Sequence, residues 1–191
     1  MSKHLTPGST LPDFKLPDET GAVRSLSELQ GDNAMVLLLG RGEHCPRERQ
    51  HQREMVRFHG WSAVAYTQLV TVLPNNLHDV GKLRISTGAF WPYLSDEEFE
   101  VQRALEIEEY TDLHHPATVP HTVVLAPDLL IDKIYVGYWF WGRPTPYQLW
   151  EDLQDLHRRI KPDFDPTIPE VRAAWERSRD ARDGSPTSAR H

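Results

Sequence analysis

Cysteine is almost absent from this chain: one thiol, Cys45, stands among 191 residues. A single cysteine excludes an internal disulfide and any paired Cys-x-x-Cys zinc or dithiol site. Basic charge is also short, with 21 Lys and Arg against 28 Asp and Glu and a net charge of −7. That balance argues against nucleic-acid or anionic-membrane partners, which require a basic face. Long apolar runs are missing too. The stretch AMVLLL, residues 34–39, falls far below the roughly 18 apolar residues of a membrane span. The first residues, MSKHLTPGSTLPDF, hold no apolar signal core. These absences lead to the expectation of a protein working in a reducing cytoplasm. Proline, by contrast, is plentiful at 15 residues, so long connections are expected between packed elements. The length suits one domain with a sizeable core.

Turn chemistry fills residues 1–33, and DETG between apolar residues predicts a hairpin, with Ser25 or Ser27 capping a short helix. AMVLLL predicts a fully buried strand. A helix is predicted from Pro46 to about Phe58, with proline in its first turn and Met55, Val56 and His59 towards the core. YTQLVTVL (66–73) predicts a second buried strand, followed by polar helices over about 75–86 and 97–105, the latter started by Ser95 or Asp96. PHTVVLAPDLLIDKIYVGYWF predicts two strands joined by a turn at Pro127 and Asp128. Leu149, Leu153, Leu156 and Ile160 fall at helical spacing. A last helix is expected over about 168–180, where Ile168, Val171 and Trp175 give one apolar stripe, and then a disordered polar tail. Alternation of strands and helices implies a mixed sheet with helices on both faces.

Cys45 sits where strand gives way to helix, in LGRGEHCPRERQHQREM. The unpaired amides and dipole of a helix N-terminus favour negative charge, so a reactive thiolate is the preferred reading. Arg41, His44 and Arg47 add to that preference, while Glu43 and Glu48 oppose it. A buried, inert cysteine is the alternative. On the next turn, Glu48 is a candidate proton shuttle; His51 is one too, though a solvated helix face is the simpler account of it.

Three stretches resemble the redoxin branch of the peroxiredoxin family, the alkyl hydroperoxide reductase and thiol-specific antioxidant group. They are LPDFKLPDETGAVRSLSEL, AMVLLLGRG followed by HCPRER, and TVPHTVVLAPD, and together they run from about Leu11 to Ile160. The resemblance implies an α/β, thioredoxin-like three-layer fold with a mixed central sheet, an N-terminal hairpin extension and an extra C-terminal helix. It implies a redoxin domain over 1–160, a helical extension over 161–180 and a tail over 181–191. It also implies a cis peptide at Pro120 and a cysteine-based peroxidase. Two departures stand out. Glu48 replaces the second cysteine of Cys-x-x-Cys, and Leu38 and Gly42 stand where Pro-x-x-x-Thr-x-x-Cys has Pro and Thr.

The expected activity is therefore one-cysteine reduction of hydrogen peroxide or an organic hydroperoxide at Cys45. Arg41 and His44 would support the anion, and Glu48 and His121 would be proton partners. Pro120, Trp139, Trp141 and Arg143 would line the substrate side. Core packing is the simpler account of the two tryptophans, and an ion pair with Asp96 or Asp112 that of Arg143. Recovery requires an external thiol reductant, and a homodimer is expected from the resemblance alone. No cofactor is expected. The alternatives are a metal site drawing on Cys45, His44, His51 and His121, since thiolate and imidazole suit zinc or copper, other thiol chemistry in the same pocket, or a redox sensor without turnover.

Overall fold

Six consecutive apolar residues form the middle of the sheet. β3 (Ala34–Leu39) is buried at every position, as a strand covered on both faces must be. It pairs in parallel with β4 (Thr67–Leu73) and antiparallel with β6 (His121–Ala126). β5 (Tyr93–Ser95) adds in parallel to β4, and β7 (Leu130–Val136) antiparallel to β6, giving the order β5-β4-β3-β6-β7. The computed structural model describes residues 5–138, 141–165 and 167–183.

Before the sheet comes the expected hairpin, β1 (Lys15–Pro17) with β2 (Val23–Ser25). Ser25 then caps α1 (Leu26–Gln30) by accepting the Glu28 N–H. The remaining helices are α2 (Pro46–Ala63), α3 (Leu77–Thr87), α4 (Glu100–Ala104), α5 (Pro146–Ile160) and α6 (Pro169–Asp183). Alternate residues of β3, namely Met35, Leu37 and Leu39, join Leu26, Val101, Leu105, Val123 and Leu125 in one core cluster. The sheet and its helices form a thioredoxin-like α/β fold.

Several expected boundaries shift. α2 runs five residues past Phe58, to Ala63. It buries Met55 and Phe58 completely, while Val56 and His59 are half-buried. α4 is only five residues long. Asp96 still serves its start, accepting the Val101 and Gln102 N–H groups. β5 escaped sequence reading because three residues carry no periodicity, and its strand state comes from pairing with β4. The chain divides into two compact units, Met1–Leu156 and His157–His191. Within the second, α6 extends through Asp183, so residues 181–183 of the expected tail are helical. Residues 184–191 lie outside the described residues. No helix among the described residues is long and apolar enough to cross a membrane.

Candidate active site

The site grows from the loop that leaves the carboxyl end of β3. Such sheet ends are where open α/β folds gather their functional groups. Cys45 is the N-cap of α2, in extended conformation, with Pro46 at the first helical position. Its sulfur makes no capping hydrogen bond. Its N–H donates to the Gly42 carbonyl at 3.2 Å, closing a tight turn, and the residue is 6% exposed.

Two glycines make that turn. Gly42 has φ +136°, a region that L side chains rarely adopt. A Cβ there would also lie 2.8 Å from the His44 ring. This explains the missing threonine: the His44 imidazole fills the space where a residue-42 side chain would project. At Gly40 a Cβ would meet Leu73 at 2.5 Å and the Glu48 carboxyl at 3.0 Å, so glycine lets Glu48 lie beneath the loop.

Arg41 is the cation of the site. Its Nε and Nη2 donate to the two Glu109 carboxylate oxygens at 2.6 and 3.1 Å, and Nη2 donates to Asp112 at 3.0 Å. The guanidinium also lies within electrostatic reach of Cys45. Glu109 first, and then Cys45, hold the guanidinium above even its ordinary value. The Arg41 hydrogen bond in turn pulls the Glu109 carboxyl below the usual carboxylate range. His44, beside Cys45, stacks on His115 with ring centroids 3.9 Å apart. Burial, then the neighbouring His115 and Arg41, push His44 below the ordinary imidazole value, which favours the neutral ring.

Glu48 is buried, with 1% of its side chain exposed. It accepts from the Arg41 N–H at 3.0 Å, Gln52 Nε2 at 2.9 Å and Arg143 Nη2 at 3.2 Å. Burial pushes its carboxyl up, but Arg143, His51 and these donors outweigh burial, and the net shift is downward. The chain of bonds continues inward. Tyr93 Oη and Thr71 Oγ1 both donate to Gln52 Oε1, and Trp91 Nε1 donates to Thr71. Arg143 therefore pairs with an acid, as one reading of the sequence has it, and that acid is Glu48. The loop before α5 carries Arg143 over the first turn of α2, a placement no local signal encodes.

Other expected residues lie elsewhere. His51 is 5% exposed rather than solvated, its Nε2 has no hydrogen-bond partner, and burial holds it below the ordinary imidazole value. His121 is buried, with Nδ1 2.7 Å from the Val119 carbonyl, and it lines a hollow of about 160 Å³ beside Leu105, Ile107 and Val136. The peptide bond before Pro120 is trans, because there is no cis bond among the described residues. Trp141 is 72% exposed and forms an isolated antiparallel bridge with Tyr138, so it does not pack in the core. Trp139 and Phe140 lie outside the described residues. Cys45, His44, His51 and His121 do not assemble. Among the described residues, the group close enough to share an ion is His44, Asp112 and His115.

Glu109, Asp112 and His115 gather around Arg41 and His44, and sequence reading assigned them no place in the site. They belong to EIEEYTDLHHP, where acids and histidines crowd a loop without any recognised spacing. A cavity of about 290 Å³ adjoins them, lined by Glu109, Tyr110, Val119, Pro120, Gly137 and Tyr138 among others. Glu109 links this cavity to Arg41 and so to the thiol.

A free thiol at the head of a helix, near an arginine and on a thioredoxin-like sheet, is the arrangement that thiol oxidoreductase chemistry needs. The chain belongs to the AhpC/TSA family, whose model matches residues 7–134, and it is a peroxidase-type oxidoreductase of the peroxiredoxin kind. The fold is similar to that of the peroxidoxin BcpB from Mycobacterium tuberculosis, at 20% identity and TM-score 0.67, covering 81% of this chain and 97% of that one. It is also similar to a cysteine-to-serine mutant of peroxiredoxin 6 of Arenicola marina, at 14% identity and TM-score 0.69, covering 82% and 76%. A yeast mitochondrial 1-Cys peroxiredoxin gives 14% identity and TM-score 0.68 over 81% and 78%. No curated protein matches the sequence.

Proposed function

We propose that the chain reduces hydrogen peroxide or organic hydroperoxides by a one-cysteine cycle at Cys45. The observation that carries this reading is the Arg41 guanidinium, fixed by Glu109 and Asp112 within electrostatic reach of the chain's single free thiol. A cation so placed stabilises negative charge on sulfur before attack and on peroxide oxygen during it. The sulfur attacks one peroxide oxygen, an S–O bond forms, and the O–O bond breaks. The departing oxygen takes a proton and leaves as water or an alcohol, and Cys45 becomes a sulfenic acid. With no second cysteine, an external thiol must attack that sulfur, releasing water and forming a mixed disulfide that a second external thiol resolves. One structural neighbour, the yeast 1-Cys peroxiredoxin, has a thiol-resolving mechanism that runs through glutathione and thioredoxin systems. A reductant of that kind, a reducing cytoplasm and a homodimer complete the proposal.

The cavity beside Glu109 and Tyr138 supports an organic substrate, because it offers room for an apolar tail one side chain away from Arg41. Glu48 holds the loop and Arg143, and in this reading it positions rather than transfers protons. The test is stoichiometric. Wild-type protein treated with a small excess of hydrogen peroxide should gain one oxygen at Cys45, reversed by added thiol, and Cys45→Ser should consume none. Peroxide loss persisting in Cys45→Ser would remove Cys45 as the nucleophile.

A further inference from the structure

The imidazoles of His44 and His115 and the carboxylate of Asp112 meet at the edge of the active-site loop, and the peroxidase reading does not use His115. Their nitrogen and oxygen ligand atoms all lie within 4.8 Å of one another. His44 Nε2 is 3.5 Å from Asp112 Oδ2, and His115 Nδ1 is 3.2 Å from the same oxygen. Zinc held at about 2.0–2.1 Å by tetrahedral nitrogen and oxygen ligands sets neighbouring ligand atoms about 3.3 Å apart. The two printed separations therefore match two edges of such a tetrahedron.

Three further features favour an ion there. His44 Nε2 is buried and has no hydrogen-bond partner, the condition of a donor atom waiting for an acceptor or a metal. Asp112 Oδ1 accepts the His114 and His115 N–H groups at 3.0 Å, which anchors the carboxylate. Oδ2 accepts from Arg41 at 3.0 Å and shares a hydrogen bond with His115 Nδ1 at 3.2 Å, so the ring nitrogen already points at the carboxylate oxygen with which it would share an ion. An ion there would replace the His115–Asp112 hydrogen bond, with Nδ1 giving up its proton to become a ligand. His115 is 48% exposed at its side chain, so the cluster opens to solvent and leaves room for water as a fourth ligand.

We propose that His44, Asp112 and His115 form a binding site for a divalent transition ion of the zinc class, next to the reactive thiol but not using it. Two imidazoles and one carboxylate suit zinc, copper, iron or nickel and disfavour magnesium or calcium. The two rings are parallel within 4°, which sets their lone pairs side by side rather than converging. Binding is therefore coupled to a tilt of the exposed His115 ring. The ion would also compete with Arg41 for Asp112 and leave Arg41 to Glu109 and the sulfur.

The test is titration of the metal-free, thiol-reduced full chain with Zn²⁺ by calorimetry, and with Co²⁺ by visible absorption. Wild type and Cys45→Ser should each bind one ion, with the intense visible bands of tetrahedral Co²⁺ and no sulfur-to-cobalt charge-transfer band. His115→Ala and Asp112→Asn should weaken binding by about 10-fold or more, since loss of even an outer partner of a metal ligand costs about 10–100-fold. His78→Ala, an exposed histidine on α3, should bind like wild type. Binding that survives His115→Ala at full strength, or that vanishes in Cys45→Ser, overturns the proposal. So does an absence of binding in wild type. None of these outcomes depends on peroxide turnover, so the two proposals fail separately.

Discussion

Arg143→Met tests whether the Glu48–Arg143 pair clamps the active-site loop. The Glu48 and Arg143 side chains are 1% and 6% exposed. Removing the guanidinium leaves Glu48 with Gln52 and the Arg41 N–H but no adjacent cation bonded to it in this pair. Breaking a buried pair by deleting one partner costs about 3–5 kcal/mol, because the other charge stays buried. For a domain of this size that is a fall of about 6–20 °C in Tm. The assay is denaturant unfolding at neutral pH, read as a change in midpoint at constant slope. Glu48→Gln/Arg143→Met should be less destabilised than the sum of its single variants, by about 2–3 kcal/mol. The pH dependence supplies a second reading. Glu48's folded carboxyl is shifted down, so its contribution is complete above the unfolded value of about 4.3 and is lost as pH falls through the folded value. In Arg143→Met burial is less opposed, so the loss should begin at higher pH. A variant within about 0.5 kcal/mol of wild type, or strict additivity in the double variant, would refute the clamp.

Two further substitutions probe the loop itself. Arg41→Lys keeps the charge but loses the planar fork that spans Glu109 and Asp112. It should slow sulfenic acid formation by about 100-fold, measured by rapid-quench mass analysis, which is the usual scale for removing one preorganised donor. Gly42→Thr would install the threonine of the wider family pattern. At φ +136°, with a Cβ 2.8 Å from the His44 ring, it should cost about 1–3 kcal/mol and slow rather than speed peroxide reduction, checked by thermal unfolding and peroxide consumption.

The parts of this architecture set by neighbours in sequence were legible, and those set by neighbours in space were not. AMVLLL carries its own strand signal, Ser25 its own cap, and Pro46 marks the first turn behind Cys45. A thiol at a strand-to-helix junction could therefore be singled out without coordinates. The partners of that thiol could not. Arg41 meets Glu109 across 68 residues, and Arg143 meets Glu48 across 95. His51 looked solvated because its neighbours in sequence are polar, but the Arg143 loop covers that side of α2, so the ring is buried.

The same distinction decides the electrostatics of the site. Counted along the sequence, Glu43 and Glu48 oppose a thiolate and Arg41 and Arg47 favour it. In the fold, Glu43 is drawn off to Arg49 and Lys82, and Glu48 is neutralised by Arg143. Arg47 turns to Gln50. Arg41 lies within electrostatic reach of the sulfur, and Glu109 and Asp112 orient it. The acids around Cys45 thus act as anchors for two arginines rather than as like charges facing the thiolate. Pairing supports that assignment over charge counting: a paired carboxylate presents little net field beyond its partner, while a guanidinium within reach of the sulfur still acts on it.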